Sequence, residues 1–113
     1  MTFSKSIETC FIKYLEFNGR ASRSEFWWFY LFLILVWIVG AVISPVVELI
    51  FFIGLILPYI AVTARRLHDI NKSGWLQLIS IIPLIGTIIM IIWCATEGTK
   101  KKNKYGSPIK LRK

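Results

Sequence analysis

From Phe26 to Val62 the chain is almost entirely apolar, with one charged residue, Glu48, and one strong break, Ser44-Pro45. A helix needs about 20 apolar residues to cross a hydrocarbon core of about 30 Å. A run nearly twice that long and broken at its centre therefore predicts two crossings joined by a tight turn. A water-soluble helix keeps a polar face, whereas one that is apolar all round is buried in protein or in lipid. The rest of a 113-residue chain is too small to bury this one. At the break, Ser44 is placed to cap the second helix and Pro45 to occupy its first turn. Glu48 falls in that turn, where the helix dipole favours negative charge.

The flanking segments carry other patterns. From Thr2 to Phe17 the apolar residues Phe3, Ile7, Cys10, Phe11, Tyr14 and Leu15 recur at steps of three and four, with Lys5, Glu8, Lys13 and Glu16 elsewhere on the wheel. This spacing predicts an amphipathic helix over residues 2–18, lying at the membrane interface or packed on the rest of the protein. Asn18-Gly19 is a helix stop, because glycine accepts the left-handed conformation that closes a helix. Ser22-Arg23-Ser24-Glu25 fits a capping box that starts the first crossing, 24–43. Trp27, Trp28 and Tyr30 stand where an interfacial aromatic belt belongs.

The second crossing is expected over 45–64. The third apolar run, 75–95, has the length of one more crossing, kinked at Pro83-Leu84-Ile85-Gly86. The same residues also suit a re-entrant hairpin, provided protein shields its bend. Residues 96–113 form a polar, basic tail. The expected fold is an all-α integral membrane protein of one domain, residues 1–113, with an N-terminal amphipathic helix and three transmembrane helices. No internal repeat stands out, and a removable signal peptide is not expected, since the first apolar run is too long for an h-region.

Composition agrees with this class: hydrophobic residues make up 56% and mean hydropathy is +0.63. The net charge of +8 has three ordinary meanings, namely nucleic acid, anionic lipid or membrane topology. The basic residues flank apolar runs, which disfavours nucleic acid. With three crossings, the 14 Lys and Arg divide evenly between the two faces, so the positive-inside rule returns no orientation. A re-entrant third segment would gather all of them on one side.

Candidate chemistry is sparse. A short first turn returns the end of the second helix to the face holding the start of the first. Arg20, Arg23, Arg65, Arg66, His68 and Lys72 then stand beside Glu25 and Asp69. Such a group either staples the fold with ion pairs or holds lipid phosphates through arginine forks. Lys100, Lys101, Lys102 and Lys104, followed by Lys110, Arg112 and Lys113, read as a juxtamembrane anchor on an anionic leaflet. Glu48, Tyr59 and Thr63, with Gly40 and Gly54 permitting close packing, are the residues that would line a path in an oligomer.

No enzyme is expected. His68-Asp69 is the one acid–base neighbourhood, and adjacent helix positions do not face each other. A single histidine with Cys10 and Cys94 far apart supplies no metal site, and no phosphate or dinucleotide motif is present, so no cofactor is expected. The expected partners are membrane lipids, a second copy or a membrane protein, and not nucleic acid.

Three motifs carry a family resemblance: Phe17-Asn18-Gly19-Arg20-Ala21-Ser22-Arg23-Ser24-Glu25-Phe26-Trp27-Trp28, Arg65-Arg66-Leu67-His68-Asp69 through Ser73-Gly74-Trp75, and Gly98-Thr99 through Asn103-Lys104-Tyr105-Gly106. Together they resemble the bacterial inner-membrane family of domain of unknown function 805, over nearly the whole chain. The run Lys100-Lys101-Lys102 departs from the family's shorter, less basic stretch. The resemblance implies an integral protein of the bacterial cytoplasmic membrane and brings no catalytic residue.

Overall fold

The computed structural model describes residues 2–98 and 101–106. Among these the chain is helical: α1 (Phe3–Ile12), α2 (Arg23–Ile43), α3 (Pro45–Asp69), a 3₁₀ segment (Gly74–Ile81) and α4 (Ile85–Ala95). The one β-type pairing among them is an isolated bridge between Asn103 and Gly106. Two of the helices, α2 and α3, are long and apolar enough to cross a membrane.

These two form an antiparallel hairpin with a single residue between them. Ser44 ends α2 through its own N–H, bonded to the Gly40 carbonyl at 3.0 Å, and caps α3 by accepting from Val47 N–H on its hydroxyl at 3.2 Å. Gly40 makes the turn this tight, because a Cβ there would stand 3.1 Å from the Cα of Glu48. Farther along α3, Pro58 lies inside the helix. Lacking an N–H, it leaves the carbonyl of Gly54 without its helical donor. The hydroxyl of Tyr14 donates to that carbonyl.

The N-terminal helix is shorter than its pattern suggests, ending at Ile12 rather than near Asn18. Its apolar face packs on α2: the rings of Phe3 and Trp28 meet edge-on at 5.7 Å, and Phe11 meets Phe29 and Phe32 at 6.0 and 6.1 Å. Ser6 and Cys10 are buried in this contact, while Ile12 and Leu15 point outward. Gly19, at φ +91°, turns the chain back so that Ala21 N–H reaches the Arg65 carbonyl at 3.0 Å.

The third apolar run is not one helix kinked at Pro83, which corrects that expectation. Its first half is a 3₁₀ helix of eight residues and its second an α-helix of 11, each about 16 Å long. Between them Leu84 adopts φ +67°, ψ −62°, and Ile85 N–H bonds the Pro83 carbonyl at 2.7 Å. That is a γ-turn of the rare, strained kind, and it reverses the chain. The halves then lie so close that a Cβ on Gly86 would fall 1.9 Å from the carbonyl oxygen of Ile79. Both ends of the run consequently return to the end of the hairpin that holds Arg23 and Asp69.

Candidate functional site

At that end five segments meet around buried charges. Arg20, Glu25, Arg65, Arg66 and Asp69 are each at most 3% exposed. Ser22, at the N-cap of α2, accepts from Glu25 N–H at 3.2 Å, which is the expected first half of a capping box. The Glu25 carboxylate instead receives the guanidinium of Arg65. Arg65 also donates from Nε to the Glu16 carbonyl at 3.2 Å, fastening the segment after α1 to α3.

Asp69 sits between two arginines. Its Oδ1 accepts from Arg20 Nε at 2.8 Å and its Oδ2 from Arg66 Nη1 at 2.6 Å. Arg66 spreads the rest of its fork over main-chain carbonyls: Ala21 at 3.1 Å, Cys94 at 2.9 Å, and Thr96. The last carbonyls of a helix have no partner within it and carry its negative dipole end. Arg66, with Trp27 Nε1 on the Cys94 carbonyl at 3.3 Å and Arg23 on Ala95 at 3.4 Å, caps the end of α4.

The tail docks on the same cluster. Arg20 Nη1 donates to the carbonyls of Lys101 and Gly106 at 3.2 and 3.1 Å, and Asn103 Nδ2 donates to the His68 carbonyl at 3.0 Å. Tyr105 stacks on His68 with centroids 3.9 Å apart and planes 2° off parallel. His68 Nδ1 lies 2.9 Å from the Gly19 carbonyl. Burial lowers its pKa below the ordinary histidine value, aided by Lys104 and opposed by the Gly19 bond.

The sequence-predicted residues therefore separate into two groups. Arg20, Glu25, Arg65, Arg66, His68 and Asp69 are brought together inside the protein, with the three arginines turned toward carboxylates and carbonyls. Burying such a cluster is tolerable only when its polar atoms are paired. Among the described residues one atom, Arg65 Nη2, is buried without a hydrogen-bond partner. Arg23 and Lys72 lie at the rim instead, the ammonium of Lys72 resting 5.2 Å over the Trp93 ring. Lys101, Lys102 and Lys104 are exposed beside them, and Lys100, Lys110, Arg112 and Lys113 lie outside the described residues.

Asp69 does not orient His68, because both its oxygens serve arginines. Among the described residues no group of histidine, cysteine and carboxylate is arranged to hold a metal. Both cysteines are buried and unpaired, and burial beside Glu25 pushes the Cys10 thiol up to about 12. Of the path-lining candidates, Thr63 donates to the Tyr59 carbonyl at 2.7 Å, while Glu48 stands at the opposite end of α3. Sequence reasoning missed the pairing of Tyr14 with Gly54. Its signal was Pro58, four residues after Gly54 in a stretch otherwise read as unbroken helix.

The family described as "Protein of unknown function (DUF805)" matches residues 14–107. Two relatives from Escherichia coli K12 are similar over most of their length. "Inner membrane protein YhaI" is 35% identical over 108 residues, 87% of this chain and 89% of its own. "Inner membrane protein YhaH" is 35% identical over 109 residues, 87% and 90% of the two chains. No solved structure matches the chain.

Proposed function

The chain belongs to the DUF805 family and is a multi-pass protein of the bacterial inner membrane; from that premise we propose that it binds anionic phospholipid headgroups through a basic face on one side of the bilayer. The observation that carries this reading is the one-sided charge. Arg20, Arg23, Arg65, Arg66, Lys72 and the described tail lysines stand at the end of the hairpin where α2 begins and α3 ends, and at the opposite end the one charge among the described residues is Glu48. With the third run re-entrant, the positive-inside rule puts this end in the cytoplasm.

Within that face the roles divide. Arg20, Arg65 and Arg66 are buried and turned onto carboxylates and carbonyls of the fold, and hold the face together. Lys5, Lys13, Arg23, Lys72, Lys101, Lys102 and Lys104 are partly or fully exposed at its rim. On an anionic leaflet each such residue contributes about 1 kcal/mol. The reading of an oligomeric channel is weaker, because Glu48 lies far from Tyr59 and Thr63 and the grooves along the hairpin are lined almost wholly by apolar side chains.

Two measurements test the reading. Reporters inserted after Lys72 and after Gly106 should lie on the same, cytoplasmic side. Purified protein in neutral detergent should gain thermal stability when phosphatidylglycerol is added and none with phosphatidylcholine, since a ligand that binds the folded state raises stability by mass action. High salt and the triple change Lys101→Gln, Lys102→Gln, Lys104→Gln should both erase the gain. An equal gain with the two lipids would reject headgroup binding.

A further inference from the structure

The two halves of this molecule differ in cross-section. The hairpin helix α2 has 21 residues and is about 31 Å long, whereas the 3₁₀ segment and α4 reach about 16 Å from the basic end before turning. The helix α1 is confined to the same half, lying across α2 between Trp28 and Phe32. Tyr14, just beyond it, reaches down to the middle of α3 at Gly54. Among the described residues, five helical elements therefore occupy the basic half and two the other. Each helix with its side chains is about 10–12 Å across, so the basic half occupies more than twice the area of the far half.

The far half shows the complement of this crowding. Between Trp37 and Leu49 the large apolar side chains of the hairpin are mostly about half exposed or more, and Val42, near its tip, is 81% exposed. Apolar grooves run along the hairpin on both flanks, one of about 320 Å³ between Tyr30, Trp37, Phe52 and Tyr59, the other between Phe32, Val39, Ile50 and Gly54. The elements of the thick half are locked in place from within. Gly86 clamps the two arms of the re-entrant segment, and Arg66, Trp27 and Arg23 hold its end against α2 and α3.

We infer that the protein is a wedge in the bilayer, thick in the leaflet that carries its basic face and thin in the other, and that it partitions to membrane whose basic-side leaflet is expanded. The inference rests on the re-entrant placement proposed above, and it does not require anionic lipid. Acyl chains of the far leaflet fill the space around the bare hairpin. In a flat bilayer the near leaflet is crowded by α1, the 3₁₀ segment and α4. Bending toward the far side relieves that crowding, so shape alone distinguishes the two faces of a curved membrane. Insertion of apolar helical mass into one leaflet is the general basis of curvature-sensitive binding.

The test uses the full chain with a single reactive thiol, Lys102→Cys, reconstituted at low density into phosphatidylcholine vesicles without anionic lipid. Small sonicated and large extruded vesicles are compared, and a membrane-impermeant maleimide reports the fraction of molecules with the basic end outward. Cys10 and Cys94 are buried, and the unsubstituted chain measures whatever labelling they contribute. In small vesicles, whose outer leaflet is expanded, the outward fraction should exceed the inward one several-fold, and in large vesicles the two should be near equal. Equal fractions at both sizes, or an inward preference in small vesicles, would overturn the wedge. If Lys102→Cys does not fold, Lys5→Cys on the exposed side of α1 reports the same quantity. Repeating the experiment with phosphatidylglycerol at low and high salt separates the readings: headgroup binding responds to both, and the wedge to neither.

Discussion

The hydroxyl of Tyr14 donates to the carbonyl of Gly54, the acceptor that Pro58 leaves without a helical partner. A proline inside a membrane helix is accommodated when a neighbouring group satisfies the carbonyl it frees. Here the neighbour comes from a segment 40 residues away in sequence. Tyr14→Phe should therefore lower stability by about 1–3 kcal/mol, the range for leaving one partner of a hydrogen bond unsatisfied. In Pro58→Ala the helix regains its own N–H donor, and Tyr14→Phe should then cost almost nothing. Thermal unfolding of the two single variants and the double variant reads the coupling. Strict additivity would show that the two residues act independently.

Arg66 holds four partners at once, Asp69 on its own helix, Ala21 ahead of α2, and Cys94 and Thr96 at the end of α4. Arg66→Ala leaves Asp69 short of a partner and the end of α4 uncapped, a loss of about 3–5 kcal/mol by analogy with broken buried pairs. Arg66→Lys should fail nearly as badly, because an ammonium keeps the charge but not the planar fork that reaches these acceptors. The yield of monodisperse protein after detergent extraction measures both. Near-normal yield of Arg66→Lys would show that charge alone suffices.

His68 sets a pH limit on the docked tail. Its pKa is lowered in the folded protein, chiefly by burial, so folding favours the neutral ring. Stability is then intact above the ordinary histidine value of about 6.5 and declines as pH falls below it toward the lowered folded value. Titration from pH 7.5 to 5 should loosen residues 101–106 first, through loss of the Tyr105 stack. His68→Gln should flatten that profile, and hydrogen exchange along the tail would record the difference. A profile unchanged by His68→Gln would assign the pH response elsewhere.

Two glycines predict opposite outcomes. At Gly86 a methyl group would lie 1.9 Å from the Ile79 carbonyl oxygen, so Gly86→Ala must push the 3₁₀ segment away from α4. At Gly54 a Cβ meets nothing within 4 Å, and alanine is the better helix former by about 1 kcal/mol. Gly54→Ala should hold or raise the melting temperature, and Gly86→Ala should lower it. Equal melting temperatures would mean that the two arms are not in close contact.

Much of this architecture is legible in the residues. The break at Ser44-Pro45 combines a cap, a first-turn proline and a change of direction, and these local signals agree. The meeting of Arg20, Glu25, Arg65, Arg66 and Asp69 follows from a tight turn between two helices of matching length. Between a kinked helix and a re-entrant hairpin, the third run left the choice open because hydropathy counts apolar length and is indifferent to direction: 3₁₀ plus γ-turn plus α-helix has the same composition as one crossing. Gly86 carried the missing information, but only the close approach of Ile79 reveals why a glycine stands there. Ion pairs stapling the fold were one of the two readings open to the arginines, but their main-chain acceptors were not legible, since any residue supplies a carbonyl.

The docking of the tail on Arg20 also orders events in time. Arg20 leaves the ribosome 81 residues ahead of Lys101 and 86 ahead of Gly106. At roughly 5–20 residues per second the interval is of the order of ten seconds. Throughout it the first span is already emerging, while the carbonyls that complete the Arg20 fork have yet to be synthesised. Closure of the cluster is thus a late step in biogenesis, and a nascent chain stalled before Asn103 presents an open basic end to whatever surveys the membrane for unfinished proteins.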